Sequence, residues 1–243
     1  MALNGSLVNN VPKQNETVSA EKEKKSDNKR KITTAAAIGS AIGIAGAVAA
    51  SYAIAKKGNP SLTFSNLTYD EKDILMIGAG SVLGGLTGGL IADKDPKNTI
   101  PKLREASQQF FGSLLCPIAI LSVAEKALEK SGFKLPQLQG ETKAIKAANI
   151  VLAALPKIAV TIGSLVAGMN IGNKIMNKVN NFIFKQNENR EVHASDYLVH
   201  TDDICVAASL LLKDSKALST ITSKLLPASF ILAGTKTGSE QAH

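Results

Sequence analysis

Four stretches of this chain lose almost all charge over lengths suited to a membrane-spanning helix, and short polar segments separate them. From Ile32 to Ala55 there is no charged residue. At 1.5 Å per residue such a run covers a hydrocarbon core of about 30 Å. The second run, over 74–92, reads ILMIGAGSVLGGLTGGLIA and is also uncharged. The third is apolar from Phe110 to Ala124, with Lys102, Arg104 and Glu105 before it and Glu125, Lys126 and Glu129 after it, and Gly132 is placed to end its helix. The fourth covers 147–172 and carries Pro156 and Lys157 near its middle. The pattern predicts an all-α polytopic membrane bundle of about four spans, at 32–55, 74–92, 108–126 and 147–172, within a membrane domain extending over 32–185.

Glycine spacing sharpens this reading. Gly80, Gly84 and Gly88 recur at every fourth position, as do Gly85 and Gly89, and Gly39 and Gly43 repeat the interval in the first run. A glycine inside a helix in water costs about 1 kcal/mol relative to alanine, whereas in a bilayer small residues let helix backbones approach closely. These positions, with Gly163, Gly168 and Gly172 of the fourth run, are the expected helix-packing sites of a glycine zipper. Gly58, Asn59 and Pro60 supply a turn, so the first two runs are expected to pair as an antiparallel hairpin.

The flanking segments are polar. Residues 1–31 are rich in Lys, Glu, Asn and Ser and predict a disordered basic tail. The tail ends in Lys29, Arg30 and Lys31, which places the amino terminus in the cytoplasm. Four spans return the carboxyl end to the same side, although the lysines between Lys126 and Lys146 then face outward. Ala47 and Ala49 leave cleavage of the first run as a signal peptide as the rival. After a linker at 186–194, apolar positions recur at steps of three and four through Tyr197, Ile204, Ala208 and Leu211, and again through Leu218, Ile221, Leu225 and Leu232. They predict an amphipathic helical region over 195–235, closed at Gly234, lying against the cytoplasmic ends of the bundle or on the membrane surface, and a disordered end over 236–243.

Composition narrows the partners. The formal charge is +8, yet only Arg30, Arg104 and Arg190 among the 28 basic residues are arginines. That disfavours a nucleic-acid reader and favours an anionic bilayer surface. Aromatic residues make up 4% and there is no Trp, so a large soluble core lacks its usual anchors. Cys116 and Cys205 each lie in an apolar run and read as small buried hydrophobes. The Lys, Asn and Ile bias points to an AT-rich bacterial genome, hence to a bacterial cytoplasmic membrane.

Two groups could carry chemistry. Lys157 in an apolar helix could line a solute path beside a break at Pro156, or reach an interface by snorkelling. His193, Asp196, His200 and Asp203 share one helical face, and the first three are weak metal-ligand candidates. No phosphate loop, dinucleotide fingerprint or nucleophile elbow is present, so neither an enzyme nor a cofactor is expected. The leading expectation is a structural or scaffolding membrane component that assembles through glycine contacts, alone or as a homo-oligomer. The alternatives are a small-solute or ion carrier or channel using Lys157 and the Pro156 break, and a secreted effector that inserts into membranes.

Overall fold

The computed structural model describes residues 12–64, 67, 69–185, 187–194, 196–197 and 229–241, with side chains from residue 22 onward. The described residues form helices and no strand. α1 runs Pro12–Gly58 and α2 runs Glu71–Ala92. A 3₁₀ turn at Pro96–Asn98 leads into α3, Thr99–Ser107, a π-helical segment at Gln108–Leu115, and α4, Cys116–Ser131. α5 is Lys143–Phe184, and a short α6 covers 229–239. Four helical stretches are long and apolar enough to cross a membrane: Lys22–Gly58, Glu71–Ala92, Pro96–Ser131 and Lys143–Phe184.

Local chemistry explains the boundaries. Asp70 caps α2 by accepting the backbone N–H groups of Lys72 and Asp73, and the Asp73 carboxylate accepts the Asp70 N–H in return. Gly132 ends α4 with a φ of 63°, a left-handed conformation suited to glycine. Thr142 caps α5 through the Ile145 N–H. Pro117 follows directly on a π-helical segment inside a continuous helix, where the widened ladder accommodates its missing N–H. Just before it the ladder is π-helical, and Cys116 N–H reaches back to Phe111 O.

α1 and α2 are antiparallel. A Cβ at Gly39 would overlap Gly84 O, and one at Gly80 would come within 2.5 Å of Gly43 O. Fully buried Ser40 and Ser81 join the two helices by a 2.8 Å hydrogen bond, and Ser51 donates to the Asp73 carboxylate at 2.6 Å. α4 and α5 form the second antiparallel pair, in which Gly168 lies on Pro117 and Gly172 on Gly112 O. The apolar core joins the two pairs through Ile44, Val48, Ile77, Leu114, Ile118 and Phe230.

Three segments differ from the sequence reading. The stretch assigned to a disordered tail is helical from Pro12, because Lys- and Glu-rich residues favour a helix and a span already nucleates it. Asp27 and Lys31 add an ion pair one turn apart at 2.8 Å. The carboxyl end does not stop at Gly234. α6 continues to residue 239 and packs in the hairpin groove, where a Cβ at Gly234 would lie 2.5 Å from Ser40 Oγ and one at Gly238 2.5 Å from Ala36 Cβ. Ser81 Oγ donates to Phe230 O, and Thr237 is fully buried. Residues 236–239, read as part of a disordered end, therefore pack into the bundle, and residues 242–243 lie outside the described residues. Finally, α5 passes through Pro156 without a break. Most of the region read as amphipathic, 198–228, lies outside the described residues.

Candidate functional site

At the end of the bundle where α2 finishes and α3 begins, polar side chains that would be costly in hydrocarbon are gathered and bonded. Asp93, just beyond α2, meets Lys102 of α3 at 2.7 Å, and both side chains are almost wholly buried. Asn98 Nδ2 donates to the same carboxylate oxygen at 2.9 Å, and Lys102 Nζ also donates to Glu240 O beyond α6. Burial opposes ionisation of Asp93, but the Lys102, Asp95 N–H and Asn98 bonds outweigh it and keep its carboxyl below the usual carboxylate range.

One turn further along α3, Glu105 anchors a second network. Arg190, from the strap between α5 and α6, holds it with two bonds, Nε to Oε2 at 2.7 Å and Nη2 to Oε1 at 3.0 Å. The same Nη2 reaches Asp196 at 2.8 Å. Lys236 of α6 donates to Asp196 at 2.9 Å, and Gln109 Nε2 bridges Glu105 at 2.7 Å and Asp196 at 3.1 Å. Burial alone would raise the Asp196 pKa. The bonds from Arg190, Lys236 and the His193 N–H, with the Arg190 charge, instead hold it well below the ordinary carboxylate range. Burial likewise works against the Arg190 cation, and Glu105 and Asp196 reverse that effect and raise its pKa.

α5 supplies the opposite wall. Asn173 and Asn177 each donate a carboxamide N–H to Arg190 O, and Arg190 N–H returns a bond to Asn177. Asn180 accepts from Ser107 and donates to Arg104 O. These asparagines recur at helical spacing, Asn173 and Asn177 fixing the strap along the α5 extension and Asn180 tying α5 to α3. Between α3, α5 and the strap lies a cleft of about 600 Å³ lined by Arg104, Glu105, Gln108, Asn177, Arg190 and Glu240 among others. Gln108, on the π-helical segment, donates to Asn173. Its Oε1 is buried with no partner, the only such side-chain atom among the described residues.

The sequence-based candidates divide. Gly39, Gly43, Gly80, Gly84, Gly85, Gly88, Gly89, Gly168 and Gly172 all face backbone or Cβ atoms closely enough that a side chain would collide. Gly163 does not, because its α5 face is open. Lys157 is exposed on α5 and does not line the cleft. In register from the Gly168–Pro117 contact it comes level with the charged end of α4 around Glu125 to Glu129. Asp196 is occupied by Arg190 and Lys236, and the His193 side chain is exposed, so the proposed metal face is not assembled by these two. His200 and Asp203 lie outside the described residues. Sequence reasoning missed Glu105, Gln108, Arg190 and Lys236. The available signal was that Arg104 and the Gln108–Gln109 pair stand at the edge of an apolar run, whereas Arg190, in a polar stretch, carried none.

These features define an all-helical chain with four helices long and apolar enough to cross a membrane and a buried ionic network at one end. No family model, curated protein or solved structure matches it.

Proposed function

We propose that the protein is a multi-pass membrane component with a structural, scaffolding role, its amino terminus in the cytoplasm of a bacterial cell and its polar end a docking platform. The observation that carries this reading is the joining of α1, α2 and α6 through backbone contacts at Gly39, Gly84, Gly85 and Gly234, with the strap and α6 tied to α3 at one end by Glu105, Arg190 and Lys236. Close backbone packing of this kind favours a rigid body, as a scaffold needs.

Alkaline carbonate extraction and single-cysteine labelling, with Cys116 and Cys205 replaced by alanine, test it. Labels at Ser26, Lys97 and Asn187 should react from one side, and labels at Gly58 and Ser131 from the other. Release by carbonate, or labelling of all five sites from one side, overturns the membrane bundle.

A carrier of a small polar solute is the second reading, favoured by the cleft and the unpartnered Gln108 carboxamide oxygen. In that case Gln108→Leu stops flux without lowering abundance, whereas Lys157→Ala changes neither. A scaffold responds instead to Gly84→Leu, through loss of folded protein.

A further inference from the structure

A shallow depression of about 680 Å³ lies along the outer side of α1 beside α6. Its chemistry changes in order along the helix. Its polar end is formed by Ser26, Lys29 and Arg30; Thr33 and Thr34 follow; beyond them the lining is Ala37, Ile38 and Ala41, with Ile231 from α6. Among the described residues neither Lys29 nor Arg30 is in an ion pair, whereas the neighbouring Lys31 is bonded to Asp27 at 2.8 Å. Ile38 is 56% exposed although it lies in the uncharged run.

We propose that this groove binds an anionic phospholipid, its phosphate held by Lys29 and Arg30 and an acyl chain laid along Ala37, Ile38 and Ala41 against Ile231. Depth supports this occupant. From Arg30 to Ala41 α1 rises about 16 Å, close to the roughly 15 Å of one leaflet's hydrocarbon. Cations at the level of the headgroups with an apolar wall below them match a charged head on a chain, and basic residues at a membrane surface favour anionic headgroups. A soluble anion would engage the two cations alone and leave the apolar wall without a part in binding. The inference rests on the membrane reading above.

The chain has no Trp, so a single reporter can be placed without background. Full-length Ile38→Trp, reconstituted in mixed bilayers, is read by fluorescence quenching with brominated phosphatidylglycerol and, separately, brominated phosphatidylcholine. Leu83→Trp, at an exposed position of α2, is the control. Binding should favour the anionic lipid by about fivefold at Ile38→Trp, fall to near equality when Lys29→Ala and Arg30→Ala are added, and show no preference at Leu83→Trp. High salt should erase the same preference without any further substitution, which covers the case in which the added changes impair insertion. Equal quenching by both lipids at Ile38→Trp, an equal preference at Leu83→Trp, or a preference insensitive to both salt and the alanine changes overturns the site. Failure of either lipid to quench either reporter overturns the membrane reading itself.

Discussion

A side chain at Gly84 would collide with the backbone carbonyl of Gly39, and neither helix can yield without separating from the other. Gly84→Leu is therefore expected to lower stability by at least about 2 kcal/mol, read as a fall in the thermal unfolding midpoint in detergent. Gly163→Ala, in open space on α5, should be neutral or stabilise by up to about 1 kcal/mol. Similar losses for the two variants would show that the spacing, and not the contact, sets the requirement. Arg190 gives a second test. Replacing it with alanine leaves Lys236 as the one cation paired with buried Glu105 and Asp196 among the described residues, and should cost about 3 kcal/mol. The sign with pH follows from Asp196. Its folded pKa lies below the unfolded value of about 4, so its contribution is complete above that pH and is lost only as pH falls towards the depressed folded value. Unfolding followed down from pH 6 should thus show no Asp196-dependent loss until the strongly acid range, and Asp196→Asn should flatten that part of the curve.

Among the elements, α6 depends most on its surroundings. A helix of three turns has little stability alone, and this one is held by Gly85 and Gly89 on one side, by Ser40 and Ala36 on the other, and by Lys236 at its end. Gly238→Leu should undock it and raise amide exchange across 229–239 to the level of an open segment, while α4 and α5 keep their protection. Lys236→Met, which removes the ion pairs to Asp196 and Glu105 and keeps the packing, should give the smaller change. If both variants leave exchange unaltered, α6 is not held by these contacts. The helical amino-terminal part of α1 is the converse case, since residues 22–31 are exposed throughout. Lys25→Pro should interrupt that stalk with little effect on the unfolding midpoint, whereas Ala36→Pro, within the packed hairpin, should prevent folding.

For the whole molecule, the chain goes back and forth so that α1 near Lys31, the end of α2, the start of α3, the α5 extension and the end of α6 meet at one pole. The strap at 187–194 closes that pole through Arg190, which explains why residues that read as a linker make several of the bonds in the site. Lys157 was prominent in the sequence because charge in an apolar run is rare, but helix register and exposure place it beside the charged end of α4. Its break did not form because α5 absorbs Pro156 with the loss of one ladder bond.

Hydrophobic runs, glycine intervals and end signals are local properties, so the sequence by itself determined the four long apolar helices, the turn after Gly58 and the stop at Gly132. Only the tertiary structure decided which glycines meet, because Gly163 and Gly168 look alike in sequence and differ only in what stands opposite them. It also decided that Gly234 and Gly238 are packing surfaces rather than a stop, and that Glu105, Arg190, Asp196 and Lys236 form one network. Those residues come from segments far apart along the chain, and the free energy of pairing buried charges exists only once folding has brought them together and excluded water.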